Sequence, residues 1–288
     1  MKIYMIFEEL KIQLDLNDSI NVLRSIGRQT KDRDWFVICD DGNCHLFDND
    51  GNEINIKKIK ILYEDLISRN IEKIIIPDSI ESIEYETFYG CKNLTSVNIP
   101  DSVESIGDAA FYNCTNLISI NIPNSIQNIG HHAFEWCEKL TTIDIPNSIK
   151  TIKNNILYGC EKLKSITIPD SVESIGDAAF GYCINLKSIT IPYSVEHIGK
   201  GIFCGCENLK SITIPDSIKK IRDHAFTYCE KLTSITIPDS VEHIGYNAFI
   251  GCRNLKSIIF KGKIIDQVKS MEYYPFGIEN KSIIKCIK

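Results

Sequence analysis

Twelve cysteines and six histidines are the side chains of this 288-residue chain best suited to crosslinking, metal binding or nucleophilic chemistry. Eight of the cysteines, Cys91, Cys114, Cys137, Cys160, Cys183, Cys206, Cys229 and Cys252, stand 23 residues apart. A structural zinc site gathers ligands in close pairs such as C-x-x-C. No such pair occurs, and the nearest approach is Cys204-Gly-Cys206. A cysteine that returns once every 23 residues reads instead as a small apolar side chain filling a tight interior position. Cys39 and Cys44 differ: they flank Asp41-Gly42, a hairpin-turn dipeptide, and would face each other within disulfide reach. In a reducing cytosol they remain thiols. The histidines form no cluster. His131 and His132 share one 23-residue unit while His197, His224 and His243 fall in others, which reads as solvated surface. Residues 48–51 resemble a calcium loop, but Leu46 and Lys57 occupy its first and twelfth ligand positions, so it is a turn. No phosphate loop, dinucleotide fingerprint or H-E-x-x-H is present. The expectation is a chain with no catalytic, cofactor-binding or metal-ligating residues, no cofactor and no enzymatic activity.

The elements behind this spacing repeat with the same ruler. Pro77, Pro100, Pro123, Pro146, Pro169, Pro192, Pro215 and Pro238 are 23 residues apart without insertion, and so are Leu94, Leu117, Leu140, Leu163, Leu186, Leu209, Leu232 and Leu255. A fixed period in the twenties marks a solenoid of leucine-rich repeats. In residues 94–100, LTSVNIP, the Val97/Ile99 alternation predicts a short strand that proline ends, because it lacks an N–H for the ladder. Gly107, Gly130, Gly176, Gly199 and Gly245 are expected to supply turns with positive φ, a role that Glu84, Lys153 and Arg222 must fill elsewhere. Residues 108–114 predict one or two helical turns, and Phe88, Phe111, Phe134, Phe180, Phe203, Phe226 and Phe249 an aromatic spine with Leu157 as substitute. One unit cannot bury enough surface to fold alone, so stability depends on stacked neighbours. The unit containing residues 154–157, Asn-Asn-Ile-Leu, departs furthest from the pattern and is the expected weak point.

The unit L-x-x-I-x-I-P-x-x-V-x-x-I-G-x-x-A-F-x-x-C closely resembles the BspA-type leucine-rich repeat, over about residues 71–260. The resemblance implies a right-handed leucine-rich solenoid. Many members of that family are described as cell-surface adhesion or host-interaction proteins, and others lack export signals and have no known role. The expected fold is therefore an α/β solenoid with one parallel sheet. It comprises a small α+β segment over residues 1–70, eight complete repeats over 71–260 and an irregular cap over 261–288. In the first segment, strands are expected at residues 3–7 and 12–16 and a helix at 18–27. A hairpin around Asp41-Gly42 and a helix over 56–69 follow. Residues 283–287 predict a closing strand.

Charge and composition narrow the partners. Thirty-two basic and 38 acidic residues leave a net charge of −6, which offers no footprint for a nucleic-acid backbone. No apolar run approaches the length that spans a bilayer, and the N-terminal apolar stretch is broken by Glu8 and Glu9, short of a secretory leader. The expected address is the cytoplasm, with the cell surface as alternative. Outward strand positions carry hydroxyls flanked by Lys164, Lys187, Lys210 and Lys256 on one side and Asp78, Asp101, Asp170, Asp216 and Asp239 on the other. The expected function is a non-enzymatic interaction scaffold that binds a protein, or a glycan, along the strand face. Its contact residues are expected at Lys187, Ser188, Thr190, Lys210, Ser211, Thr213, Ser234 and Thr236. Two alternatives stay open: a surface adhesin exported by an unconventional route, and an effector or enzyme whose activity lies in residues 1–70 with the repeats as substrate receptor.

Overall fold

A computed structural model describes residues 35–40, 43–48, 58–59, 73–76, 78 and 80–287. The elements expected at residues 3–7, 12–16 and 18–27 lie outside the described residues, as does most of the 48–51 turn. The hairpin is present: Trp35–Asp40 pairs antiparallel with Asn43–Asp48, and Cys39 stands opposite Cys44. The side chains of that pair lie outside the described residues.

The described residues from 73 onward wind as a parallel solenoid. Its strand face is built from Lys73–Ile75, Ser96–Asn98 and Ser119–Asn121, then from Ser188–Thr190, Ser211–Thr213, Ser234–Ile237, Ser257–Lys261 and Ile284–Ile287. Every pairing along it is parallel, and a bridge from Ser119 to Thr142 carries the ladder toward the middle. The strands from Ser96 to Ile237 alternate outward polar residues with buried aliphatic ones, as Ser188, Ile189 and Thr190 do. Burying that one face fixes the register, because a slip of one residue would turn the isoleucines into water.

The single expected sheet has a companion. Two-residue strands at Ser82–Ile83, Ser105–Ile106 and Asn128–Ile129 pair in register. So do Thr151–Ile152, Ser174–Ile175 and His197–Ile198, and then Lys220–Ile221 and His243–Ile244. The expected helix over 56–69 is contradicted at its start: Lys58–Ile59 is a strand paired with Ser82–Ile83, one residue off the 23-residue ruler. Between the two ladders, the proline carbonyl closes a turn, accepting from the amide three residues on (Val195 N to Pro192 O, 3.1 Å).

The expected helical turns are also replaced. Residues 108–114 form consecutive turns in which alternate amides bond in different directions. Ala110, Tyr112 and Cys114 donate to the carbonyl three residues back, while Ala109, Phe111 and Asn113 donate to His131, Ala133 and Glu135 of the next coil. A helix would spend all these groups inside the coil; the turns spend half of them between coils. The alternation needs two left-handed residues per coil, such as Ala109 (φ 53°) and Asn113 (φ 58°). The expected positive φ at Gly107, Gly130, Gly176, Gly199 and Gly245 is therefore a misplacement, since none of the five adopts it. Glycine is required there for close approach: a Cβ on Gly199 would stand 2.3 Å from the backbone N of Asp177.

The core runs the length of the array as stacked columns. The phenylalanines are fully buried, and neighbouring rings stack at centroid distances of 5.0 Å (Phe88–Phe111) to 5.7 Å (Phe180–Phe203). Leu157 fills the same column between Phe134 and Phe180. Residues 261–287, expected as an irregular cap, continue the winding. A short helix, Ile265–Lys269, leads through buried Phe276 to Ile284–Ile287, which extends the strand-face ladder as expected.

Candidate functional site

A set of polar side chains in each coil is occupied in holding its neighbours. The serine two residues after each proline donates to the carbonyl of the preceding coil, in Ser102, Ser125, Ser171, Ser194, Ser217 and Ser240 at 2.6–2.9 Å, and in Ser148 to Ile126. The residue after the glycine column caps the following coil's backbone. Asp108 accepts from His131 N, Asn154 from Asp177 N, Asp177 from Lys200 N and Asp223 from Tyr246 N, at 2.7–3.0 Å. His131 takes the same place, its Nδ1 meeting Asn154 N at 3.2 Å. His132 contacts the buried Glu135 carboxylate at 2.5 Å. These two histidines are thus structural members of the turns, where the sequence had suggested solvated surface.

The eight column cysteines are free, with Cys252 the least buried. They do more than fill space. Seven of them, from Cys114 to Cys252, donate S–H to the phenylalanine or leucine carbonyl in the coil before, at 3.0–3.3 Å. Burial penalises the thiolate, pushing Cys91, Cys183 and Cys252 up to about 12 and the other column thiols well above their ordinary value. Thiols so raised are poor nucleophiles at neutral pH. Cys204, outside the column, is half-buried and raised for the same reason. Among the described residues, no three histidine, cysteine or acidic side chains meet in a group able to hold a metal ion.

The strand-face hydroxyls take no part in this coil-to-coil bonding. Ser188, Thr190, Ser211, Thr213 and Ser234 are exposed and Thr236 is half-buried. Register pairs Ser188 with Ser211 and Thr190 with Thr213, and then Thr213 with Thr236, so the hydroxyls form straight rows across the coils. Lys187 and Lys210 are exposed and run beside these rows. Among the described residues, the lysine and arginine ion pairs Lys150–Glu173, Lys200–Asp223 and Arg253–Glu230 lie off these rows, and Lys263–Asp239 engages only their acidic flank. The structure thus brings all eight expected contact residues onto one surface. It also places there a feature that spacing alone does not reveal. A depression of about 410 Å³ opens beside Ser188–Thr190, and Asp170 and Tyr193 form part of its lining.

A parallel solenoid with a leucine, isoleucine and phenylalanine core and one polar strand face is a leucine-rich repeat scaffold. The signature of the BspA type leucine rich repeat region matches residues 63–187 and 173–285, in six copies, and the chain belongs to that family. Among solved structures it is similar to the leucine-rich repeat protein TpLRR of T. pallidum, with 24% identity, 73% of this chain and 85% of that one covered, and a TM-score of 0.47. It is similar too to a leucine-rich cell surface protein of Faecalibacterium prausnitzii, with 21% identity, 88% and 95% coverage and a TM-score of 0.37. The pneumococcal vaccine antigen PcpA is a third, with 18% identity, 81% and 69% coverage and a TM-score of 0.45. No curated protein matches the sequence.

Proposed function

We propose that the chain is a non-enzymatic scaffold that holds a protein partner along its strand face, through Lys187, Ser188, Thr190, Lys210, Ser211, Thr213, Ser234 and Thr236. The observation that supports this reading is a division of labour among the polar side chains. Serine, aspartate and asparagine in the turns are committed to the neighbouring coil, whereas the strand-face hydroxyls and lysines project into solvent. Such a surface repeats at strand spacing and so presents one chemistry to several segments of an extended partner at once. Exposed lysines contribute mainly by steering and by selecting an acidic complement.

We also place the protein in the cytoplasm. In support, the column cysteines are unpaired and seven of them donate S–H in the core, a use of cysteine that fits a reducing compartment. No helix among the described residues is long and apolar enough to cross a membrane.

The test of the scaffold reading compares two charge reversals on the full-length protein in affinity capture followed by titration of the captured partner. Lys187→Glu with Lys210→Glu changes the strand face, and Lys219→Glu with Lys220→Glu makes the same charge change on the second ladder. The first pair is expected to weaken binding about tenfold and flatten its salt dependence, and the second to leave both unchanged. A partner lost with the second pair and kept with the first would move the interface off the strand face.

A further inference from the structure

The strand-face sheet has an end inside the array. Ser188–Thr190 is the outer strand of a five-stranded sheet, and residues 165–168 in the coil before it carry no strand. The depression of about 410 Å³ lies at this step, with Ser165, Thr167, Thr190 and Thr213 among its walls and Asp170 and Tyr193 beside them. Its size is at the lower end of the range for small-molecule sites, about 300–1,000 Å³.

Tyr193 is the odd member of its column. The residue that follows proline is Asp78, Asp101, Asn124, Asn147, Asp170, Asp216 or Asp239 in the other coils, and only here is it aromatic. It is 74% exposed, more than any other large apolar side chain among the described residues. The fold gains no burial from it. Nor does the 23-residue ruler require an aromatic residue there, since seven coils manage with a short polar side chain.

We propose that this depression is a subsite for a neutral saccharide. A pyranose ring has a face of C–H groups and a rim of hydroxyls. The exposed Tyr193 ring matches the face, because aromatic surface with a negative quadrupole favours contact with polarised C–H. The rim finds a carboxylate acceptor in Asp170 and hydroxyls that both donate and accept in Ser165, Thr167, Thr190 and Thr213. The lining excludes the competing chemistries. It holds one carboxylate and no lysine, arginine or histidine, so a phosphate or an acidic sugar finds no cation within the lining, and the lysines beside the rows lie outside it. A wholly apolar ligand would strip water from the hydroxyls and return no hydrogen bonds. The subsite shares Ser188, Thr190 and Thr213 with the proposed partner surface but not Lys187 and Lys210, so the two readings can be tested apart.

The experiment titrates the full-length protein with maltose, cellobiose, lactose and chitobiose, using 3′-sialyllactose as the anionic comparison, and observes ligand signals by saturation-transfer NMR. A shallow site with one aromatic platform is expected to bind at least one neutral disaccharide with a Kd of roughly millimolar order. Tyr193→Asp, which installs the residue of the neighbouring coils, should weaken that binding tenfold or more without shifting the melting midpoint. Tyr193→Trp should retain it, and Asp170→Asn should weaken it severalfold. Lys187→Glu with Lys210→Glu should leave it intact even where protein capture is lost, which separates this subsite from the scaffold reading. Absence of binding by all four neutral sugars, equal binding by Tyr193→Asp, or preference for the sialylated sugar would each overturn the proposal.

Discussion

At the scale of single residues, the buried thiols make a measurable commitment. Cys183 is fully buried, and desolvation pushes its thiol from 9.0 up to about 12. The folded protein therefore holds this proton to about pH 12, while the unfolded chain releases it near pH 9. The stability due to the neutral thiol is complete below pH 9 and is lost as pH rises through the window from 9 to 12, at about 1.4 kcal/mol per pH unit for each such thiol. Urea unfolding under reductant, repeated at several pH values, should show stability falling steeply in that window. Cys183→Ala should make the fall shallower by that amount, and parallel curves for the two proteins would refute a neutral buried thiol. Phe180 makes the larger contribution at neutral pH. It is fully buried and stacks on Phe203 at 5.7 Å, so Phe180→Ala should cost about 3–5 kcal/mol. An unchanged melting midpoint would remove the ring from the core.

At the scale of elements, the strands were readable in the sequence and the turns were not. Leucine, isoleucine and proline announce the strand face because alternation and a missing N–H are local properties of those residues. The turns follow another logic. Their left-handed positions are filled partly by residues that favour that backbone region, such as Gly90, Asn113, Asn155, Gly159 and Gly205, but also by Glu86, Ala109, Trp136, Ala178 and Tyr228, which do not. Bonds to the adjacent coil hold them there, and a single-coil reading cannot see a bond to the next coil. For the same reason the glycine column, which serves inter-coil contact, reads wrongly as a turn column. The caps offer a test with an internal control. Asp177 accepts from Lys200 N at 2.7 Å, while Asn154 does the same work toward Asp177 N at 2.9 Å. Asp177→Ala should therefore lower stability by about 1 kcal/mol, the worth of an ordinary hydrogen bond. Asp177→Asn should recover most of it. Equal losses in urea midpoint for the two variants would mean that the carboxylate acts by charge and not as a cap.

At the scale of the whole molecule, the array behaves as a ruler, and this decides what was legible about its surface. The hydroxyl rows and the lysine column could be read from the sequence because they obey the period. The depression at Tyr193 could not, because the period does not say where the ladder opens. A ruler also makes a strong claim about length. Each coil meets only its neighbours, so removal of one complete period should bring equivalent columns together and leave a shorter solenoid. Deleting residues 119–141 joins Ile118 to Thr142. Leu157, which substitutes for phenylalanine in the spine, then packs against Phe111, and Cys160 follows Cys114, each in its own column. Deleting residues 119–140 instead leaves one extra residue immediately before a strand, and where no loop takes it up the strand turns its buried isoleucine toward water. The first variant should elute as a monodisperse species and melt in one transition a few degrees below the full-length protein. The second should melt broadly or aggregate. If both deletions were tolerated equally, register would be set within each coil and not between coils, contrary to the shared hydrogen bonds that link alternate turn amides from Glu86 to Phe249.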